Sequence, residues 1–347
     1  MNAILLTTTH TPLALTTIPD PTPEPGEVVI DLKAAALNHR DVFIQQGLYP
    51  GILLPNVPGS DGAGVISALG TGVDPAWLGR EVLINPALNW GENPAMNSWL
   101  FKILGMPDNG TFAEKIAVPL TNVYPKPAHL SFAEAAALPL AGLTAWRAIM
   151  SRAGLKQTTT GKPERVLITG IGGGAALFAL QFAVAAGAEV WVTSGSAEKL
   201  AHAQTLGATG GVSYKEPDWH KNLMKQTTAN NPSLVKVGYF DVIIDSAAGP
   251  DFAKLTQVAA PGGRIVFFGG TAGKITDVVP SIVFFKQLSI FGTTMGNDAE
   301  FAEMLRFVEK HALRPIVDSI RPLAEAQHAY DRLNAGEQRG KVVLSIS

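Results

Sequence analysis

Six residues, Gly170-Ile171-Gly172-Gly173-Gly174-Ala175, form a G-x-G-x-x-A arrangement between an apolar run at 166–169 and an Ala/Leu/Phe-rich stretch reaching about residue 186. Glycine is needed where a chain must turn sharply and bring its backbone N–H groups close to a pyrophosphate at the positive end of a helix. Ala175 in the third slot still lets helix and strand pack closely. Gly170, Gly172, Gly173, Gly174 and Ala175 are therefore candidate dinucleotide-binding residues. After the next apolar run, Thr193-Ser194-Gly195-Ser196-Ala197-Glu198-Lys199 stands where an Asp or Glu would hold both ribose hydroxyls of NAD. Small residues such as Ser194 and Ser196 leave room for a 2′-phosphate and Lys199 supplies countercharge, so NADPH is expected over NADH.

These residues need a parallel sheet to present them, and the chain from about 130 onward has that pattern. Ser131-Phe132-Ala133-Glu134 has capping-box spacing and opens an Ala-rich helix, with a second helix following over 142–150. Apolar strands are then predicted at 166–169, 190–192, 241–244 and 264–268, separated by helices, the signature of a doubly wound sheet buried on both faces. The uncharged stretch 166–188 is long enough to span a membrane, but its central glycines and early β-branched residues predict strand, turn and helix instead. Upstream of about 125 the chain is a β-rich unit of short strands at 28–32, 62–66 and 81–84, entered through a Pro-rich connector at 19–26. Helices at 299–310 and 324–334 and a strand at 341–344 form a tail that rejoins this unit. Thr158-Thr159-Thr160 is predicted as loop, and in the segment 85–109 Trp90, Trp99 and Phe101 are expected to bury the loop that carries them.

The 347 residues suffice for about two domains. Lys and Arg number 27 against 29 Asp and Glu, with no basic run, so nucleic acid is not an expected partner. Apolar residues make up 46% and mean hydropathy is +0.18, which excludes a disordered or fibrous chain. Cysteine is absent, removing disulfides, thiolate catalysis and thiolate zinc sites. The N-terminus lacks a charged segment followed by a long apolar one, so a cytoplasmic protein without membrane attachment is expected.

Several further segments carry a resemblance: Pro25-Gly26-Glu27-Val28, Leu37-Asn38-His39-Arg40-Asp41, Gly47-Leu48-Tyr49-Pro50, Pro58-Gly59-Ser60-Asp61-Gly62-Ala63-Gly64-Val65, Gly142-Leu143-Thr144-Ala145 and Gly340-Lys341-Val342-Val343-Leu344. In order and spacing, with the glycine loop, they resemble the medium-chain dehydrogenase/reductase superfamily, and within it the zinc-free quinone oxidoreductase-like branch, over nearly the whole chain. The resemblance implies an α/β chain with a Rossmann doubly wound domain over 128–295 and a β-rich GroES-like catalytic domain over 1–127 and 296–347. Zinc alcohol dehydrogenases of the superfamily place a cysteine at Asn38 and Gly-His-Glu at Gly59-Ser60-Asp61. With those ligands missing, no metal is expected.

By the same resemblance, Asn38, Asp41 and Tyr49 correspond to positions near nicotinamide and substrate. Asn38 offers an amide N–H to a carbonyl oxygen and Tyr49 a phenol able to donate a proton. Thr144 lies along the cofactor, Tyr214 beside the 2′-phosphate, and Phe268, Gly269 and Gly270 pass the nicotinamide. The run 284–292 resembles the family's edge strand that pairs across a two-fold axis, so a homodimer is expected. The implied activity is hydride transfer from NADPH to a quinone or an α,β-unsaturated carbonyl. A zinc-type alcohol dehydrogenase and a cofactor-binding, crystallin-like relative without turnover are the alternatives.

Overall fold

A computed structural model describes residues 1–157, 161–229, 234 and 237–347, so the loop expected at Thr158-Thr159-Thr160 lies outside the described residues. The chain forms two compact units, Met1–Leu143 with Met295–Ser347, and Thr144–Thr294. The helix Phe132–Ala137 groups with the first unit, and its Ser131/Glu134 capping box also holds Arg314 at 2.9 Å from Glu134.

In the first unit the strands run, in sheet order, Val317–Pro322, Lys341–Ser345, Glu27–Ala36, Asp61–Leu69, Glu81–Ile84 and Val123–Pro125, with Lys115–Pro119 also pairing with Glu27–Ala36. Their inward side chains, among them Val28, Ile30, Leu32, Ile66, Val82, Ile84 and Leu344, form one core with Phe112 and Tyr330. Register then does something specific. Ala36 pairs with Asp61 on one side and Val343 on the other, and the Leu37 N–H donates to the Val342 carbonyl at 2.9 Å. Asn38, Asp61 and Lys341 are thereby delivered to the same end of three adjacent strands. Gly59, at φ +99°, makes the turn before Ser60 and Asp61, where a Cβ would lie 2.5 Å from the Phe112 ring.

Between 85 and 109 the short strands Ala87–Leu88 and Lys102–Ile103 pair. Trp90 is buried with its ring edge-on to Phe101 at 5.3 Å, whereas Trp99 is 91% exposed. Two of the three aromatics bury this loop and the third faces solvent.

The second unit is a six-stranded parallel sheet in the order Gly210–Ser213, Glu189–Ser194, Arg165–Ile168, Phe240–Asp245, Ala259–Phe267, Ser289–Gly292. Val166, Leu167 and Ile168 are all fully buried, as a central strand covered on both faces requires. The uncharged stretch from 166 is this strand, a glycine turn and the helix Gly174–Ala185. Among the described residues no helix is long and apolar enough to cross a membrane. Strand order reverses between Arg165–Ile168 and Phe240–Asp245, and the carboxyl ends at such a reversal are where open α/β sheets bind ligands.

Two elements differ from expectation. The helix predicted over 142–150 is an α-helix, Pro139–Trp146, that widens into a π-helix over Arg147–Arg152. The run 284–292 is not one strand: Pro280 opens a short helix, Pro280–Phe285, and Gln287 at φ +52° breaks the chain before the edge strand Ser289–Gly292. Phe284 and Phe285 are 60% and 81% exposed on that helix, and Ile290 is 37% exposed on the edge strand.

Candidate active site

Asn38 adopts an extended conformation and begins the helix His39–Gln45, where its backbone N–H donates to Asp41 Oδ2 at 2.8 Å. Its side chain is held from both ends. Nδ2 donates to Asp61 Oδ2 at 2.9 Å, and Oδ1 accepts from Lys341 Nζ at 2.6 Å. Lys341 Nζ also lies 2.9 Å from Asp61 Oδ2, and Asp61 Oδ1 accepts the Leu140 N–H at 2.8 Å. All three side chains are buried.

A second cluster adjoins it through the helix. Buried Arg40 donates from Nη1 to Ser60 Oγ at 2.5 Å and to the Leu104 carbonyl at 2.9 Å. Its Nε donates to Tyr49 Oη at 3.4 Å, and the guanidinium lies 4.8 Å from the Tyr49 ring centroid. Tyr49 is half-buried against the cluster of Leu6, Ile44 and Met106, and the preceding Leu48 is exposed. Among the described residues Arg40 Nη2, Asp41 Oδ1 and Tyr330 Oη are buried atoms without a hydrogen-bond partner. Burial pushes the Asp41 carboxyl up to about 6, against the pull of the Arg40 charge and the Asn38 N–H. The Tyr330 hydroxyl is raised well above its usual value, first by burial and then by the Asp41 charge.

In the second unit Gly170 and Gly172 take φ +65° and +131°, and Gly173 caps the helix Gly174–Ala185. A Cβ at Gly172 would stand 2.5 Å from Lys199 Cδ, so the lysine stem lies across the loop. Ala175 is half-buried in the first turn of that helix. The neighbouring strand braces the loop: Gly170 N–H donates to Thr193 Oγ1 at 3.2 Å, Ile171 N–H to the Thr193 carbonyl at 2.8 Å, and Ser194 Oγ to the Ile171 carbonyl at 3.2 Å. Ser194 is buried, so its hydroxyl shapes the loop from behind. Ser196 caps the helix Ala197–Thr205. Tyr214 is 45% exposed, and a Cβ at Gly195 would lie 2.8 Å from its Oη and 3.0 Å from Lys215 Cε. Lys215 thus joins Tyr214 at the end of the second strand.

Phe268 is half-buried, its N–H donating to the Asp245 carbonyl at 3.2 Å. Gly269 has no room for a side chain, since a Cβ would lie 2.1 Å from the Ser246 carbonyl, and Gly270 is exposed. Thr144 is buried in the helix Pro139–Trp146. The Asp245 carboxylate accepts from Thr169 Oγ1 and from the Ala248 N–H at 2.7 Å, with burial raising its pKa. At the opposite, amino ends of the strands, Arg165 pairs with Asp241 and Arg264 with Glu164.

The known proteins similar to this chain agree with this architecture. Residues 24–128 match the alcohol dehydrogenase GroES-like domain and residues 174–310 the zinc-binding dehydrogenase model. A zinc-type alcohol dehydrogenase-like protein of Leptosphaeria maculans is 39% identical over 96% of this chain and 95% of its own. The chain belongs to the medium-chain dehydrogenase/reductase superfamily. A chloroplast envelope quinone oxidoreductase homologue of Arabidopsis thaliana, 29% identical over 94% of this chain and 92% of its own, is a more distant member. A crystal structure described as an NAD-dependent alcohol dehydrogenase superposes with a TM-score of 0.89 at 36% identity over the whole of both chains.

Membership makes this medium-chain dehydrogenase/reductase an oxidoreductase with a nicotinamide nucleotide cofactor, and the glycine loop fits one: it enters a helix N-terminus at Gly173, where nothing lies within 4 Å of the position a Cβ would take. The zinc that some members hold does not fit. Asn38 Oδ1 and Asp61 Oδ2 both accept from the Lys341 ammonium, so a fixed cation already stands between the available oxygens. Among the described residues no group of three or more His, Asp or Glu is placed to bind a metal.

Lys341, Asp61, Arg40 and Lys215 were not among the functional residues expected from sequence. For Lys341 no local signal exists: a lysine opening the apolar run Val342-Val343-Leu344 has the pattern of a solvated strand end, and only the register that sets its strand and that of Asp61 on either side of Glu27–Ala36 pairs the two.

Proposed function

We propose that this chain is an NADPH-dependent reductase that transfers a hydride to a quinone or to the β-carbon of an α,β-unsaturated carbonyl, without catalytic zinc. The observation that carries it is the buried Asn38 amide, held between a lysine and an aspartate where a metal-dependent relative would need ligands. A bound reduced nicotinamide supplies the hydride. The chain's own residues do the rest. Asn38 polarises the acceptor oxygen as negative charge develops on it, a role for which a preorganised neutral donor suffices. Tyr49 donates the proton, its oxygen held by the Arg40 Nε–H at 3.4 Å. Exposed Leu48 next to Tyr49 suits the apolar body of a quinone or enone.

For the cofactor, Gly170, Gly172, Gly173, Gly174 and Ala175 receive the pyrophosphate, Thr144 and the Phe268-Gly269-Gly270 turn lie along its course, and Ser196, Lys199, Tyr214 and Lys215 surround the 2′-phosphate. Absence of a carboxylate at the end of Glu189–Ser194 supports NADPH over NADH. A homodimer through the edge strand Ser289–Gly292 completes the proposal, supported by exposed Ile290, Phe284 and Phe285.

The test is consumption of NADPH, and separately NADH, with a quinone, an enone and an aldehyde, each with and without chelator. Chelator-insensitive reduction of quinone or enone with NADPH is expected. Activity confined to aldehyde and NADH, or lost on chelation, would replace this reading with a metal-dependent alcohol dehydrogenase, the type named for the Leptosphaeria relative. Cofactor binding without turnover would favour a non-enzymatic relative.

A further inference from the structure

We infer that Lys341 and Asp61 are positioning residues that fix which way round the Asn38 amide stands, and so aim its second N–H at the substrate oxygen. This rests on the proposed reductase reading and adds the device that orients its donor.

A carboxamide can turn over about its last side-chain bond, exchanging donor and acceptor ends, and at an exposed site the two arrangements differ little. Here they differ greatly. Asn38 Oδ1 faces an ammonium at 2.6 Å and Nδ2 faces a carboxylate oxygen at 2.9 Å. Turning the amide would set NH2 against the ammonium and oxygen against the carboxylate, trading two charge-assisted bonds for two repulsions. The orientation is therefore locked by a cation on one side and an anion on the other.

Donor accounting leads to the same place. Nδ2 carries two N–H groups, and one goes to Asp61 Oδ2. Asp61 Oδ1 is taken by the Leu140 N–H, so the carboxylate is anchored on both oxygens. Among the described residues the second Asn38 N–H meets no acceptor, and it is the one left for a ligand. Asp61 is sealed at 0% exposure and Lys341 nearly so at 4%, against 8% for Asn38, so both charges act through the amide rather than on substrate. By hydrogen-bonding to the amide oxygen, the ammonium also polarises the amide and strengthens the N–H that remains. A weld between strands would need only the Lys341–Asp61 pair; the shorter Lys341–Asn38 contact is what an orienting role requires.

The test combines a mutant cycle with a spectroscopic reading. In Lys341→Met/Asp61→Asn both charges are removed together, leaving neither buried alone. Turnover of a naphthoquinone or a cyclic enone with NADPH is expected to fall at least about tenfold, with NADPH affinity unchanged. Adding Asn38→Ala to that background should cost little more, whereas in the wild-type background it costs the full loss. Equal Asn38→Ala losses in both backgrounds would overturn the inference. Independently of activity, proton exchange of the Asn38 side-chain amide is followed in asparagine-labelled protein, its signal assigned by its absence in Asn38→Ala. Slow exchange in the wild-type chain, at least about tenfold faster in the double variant, is expected. Fast exchange in the wild-type chain overturns the inference even if the double variant fails to fold. If the amide is locked but no quinone or enone is reduced, the orienting device stands and the assigned reaction is what fails.

Discussion

The ammonium of Lys341 stands 2.6 Å from the side-chain oxygen of Asn38, a residue 303 positions away in the chain. Strand register, not sequence proximity, makes that contact, and Asp61 closes it into a triangle. Because all three side chains are buried, removing one strands the others. Lys341→Ala leaves the Asp61 carboxylate uncompensated and is expected to lower stability by about 3–5 kcal/mol, measured by chemical denaturation. Lys341→Met/Asp61→Asn should cost clearly less.

Asn38→Ala removes the donor assigned to the acceptor oxygen. A loss of kcat of about tenfold to a thousandfold is expected, with NADPH affinity by calorimetry within a factor of about two. Equal loss of both would make Asn38 a structural residue.

Lys199 and Lys215 are assigned to the 2′-phosphate. Replacing either with alanine should weaken NADPH binding by about 1–2 kcal/mol, roughly tenfold, and leave NADH binding nearly unchanged. Paired fluorescence titrations check this; parallel weakening of both nucleotides would remove the lysines from the phosphate.

Asp41 provides a pH signature. Its carboxyl lies at about 6 in the folded chain against an ordinary 3.8, because burial penalises the charged form. The folded state binds this proton more tightly than the unfolded one, so its contribution is fully present below the ordinary value and is lost as pH rises through about 6. The loss is on the order of 3 kcal/mol. Asp41→Asn should flatten that part of the stability profile and gain most near neutral pH. Denaturation midpoints taken at about pH 4.5 and about pH 7 test the sign.

Light scattering at micromolar concentration should report a dimer, and Ile290→Lys on the edge strand should convert it to a monomer that still binds NADPH. A monomeric wild-type chain would remove the edge-strand interface.

The second unit was legible in sequence for physical reasons. Val166, Leu167 and Ile168 are buried on both faces, so an apolar run marked this central strand, and the glycines that follow it separated it from a membrane span and marked the ligand edge. The polar centre of the first unit was only half legible. Asn38 stood out by its neighbours, but Asp61 was visible only as a departure from the zinc pattern, nothing local to Lys341 distinguishes a buried partner from a solvated lysine at a strand end, and register cannot be read from one strand. The run 284–292 misled for a different reason: Phe284, Phe285 and Phe291 share composition with a strand, while Pro280 and the left-handed Gln287 divide the segment into helix and strand. Lys215 escaped notice because Gly195, which brings it beside Tyr214, lies 20 residues earlier in the numbering.

The first unit is assembled from two stretches of chain, Met1–Leu143 and Met295–Ser347, while the second is continuous. During synthesis the second unit can close as soon as it emerges. The first cannot, because Asp61 waits 280 residues for the lysine that neutralises it, and two sheet strands, Val317–Pro322 and Lys341–Ser345, arrive with that lysine. A nascent chain halted after residue 294 would hold a finished second unit and, in the first, an open sheet with a charged interior. On the proposed function, the polarising Asn38 amide is therefore not assembled until the later stretch has been made.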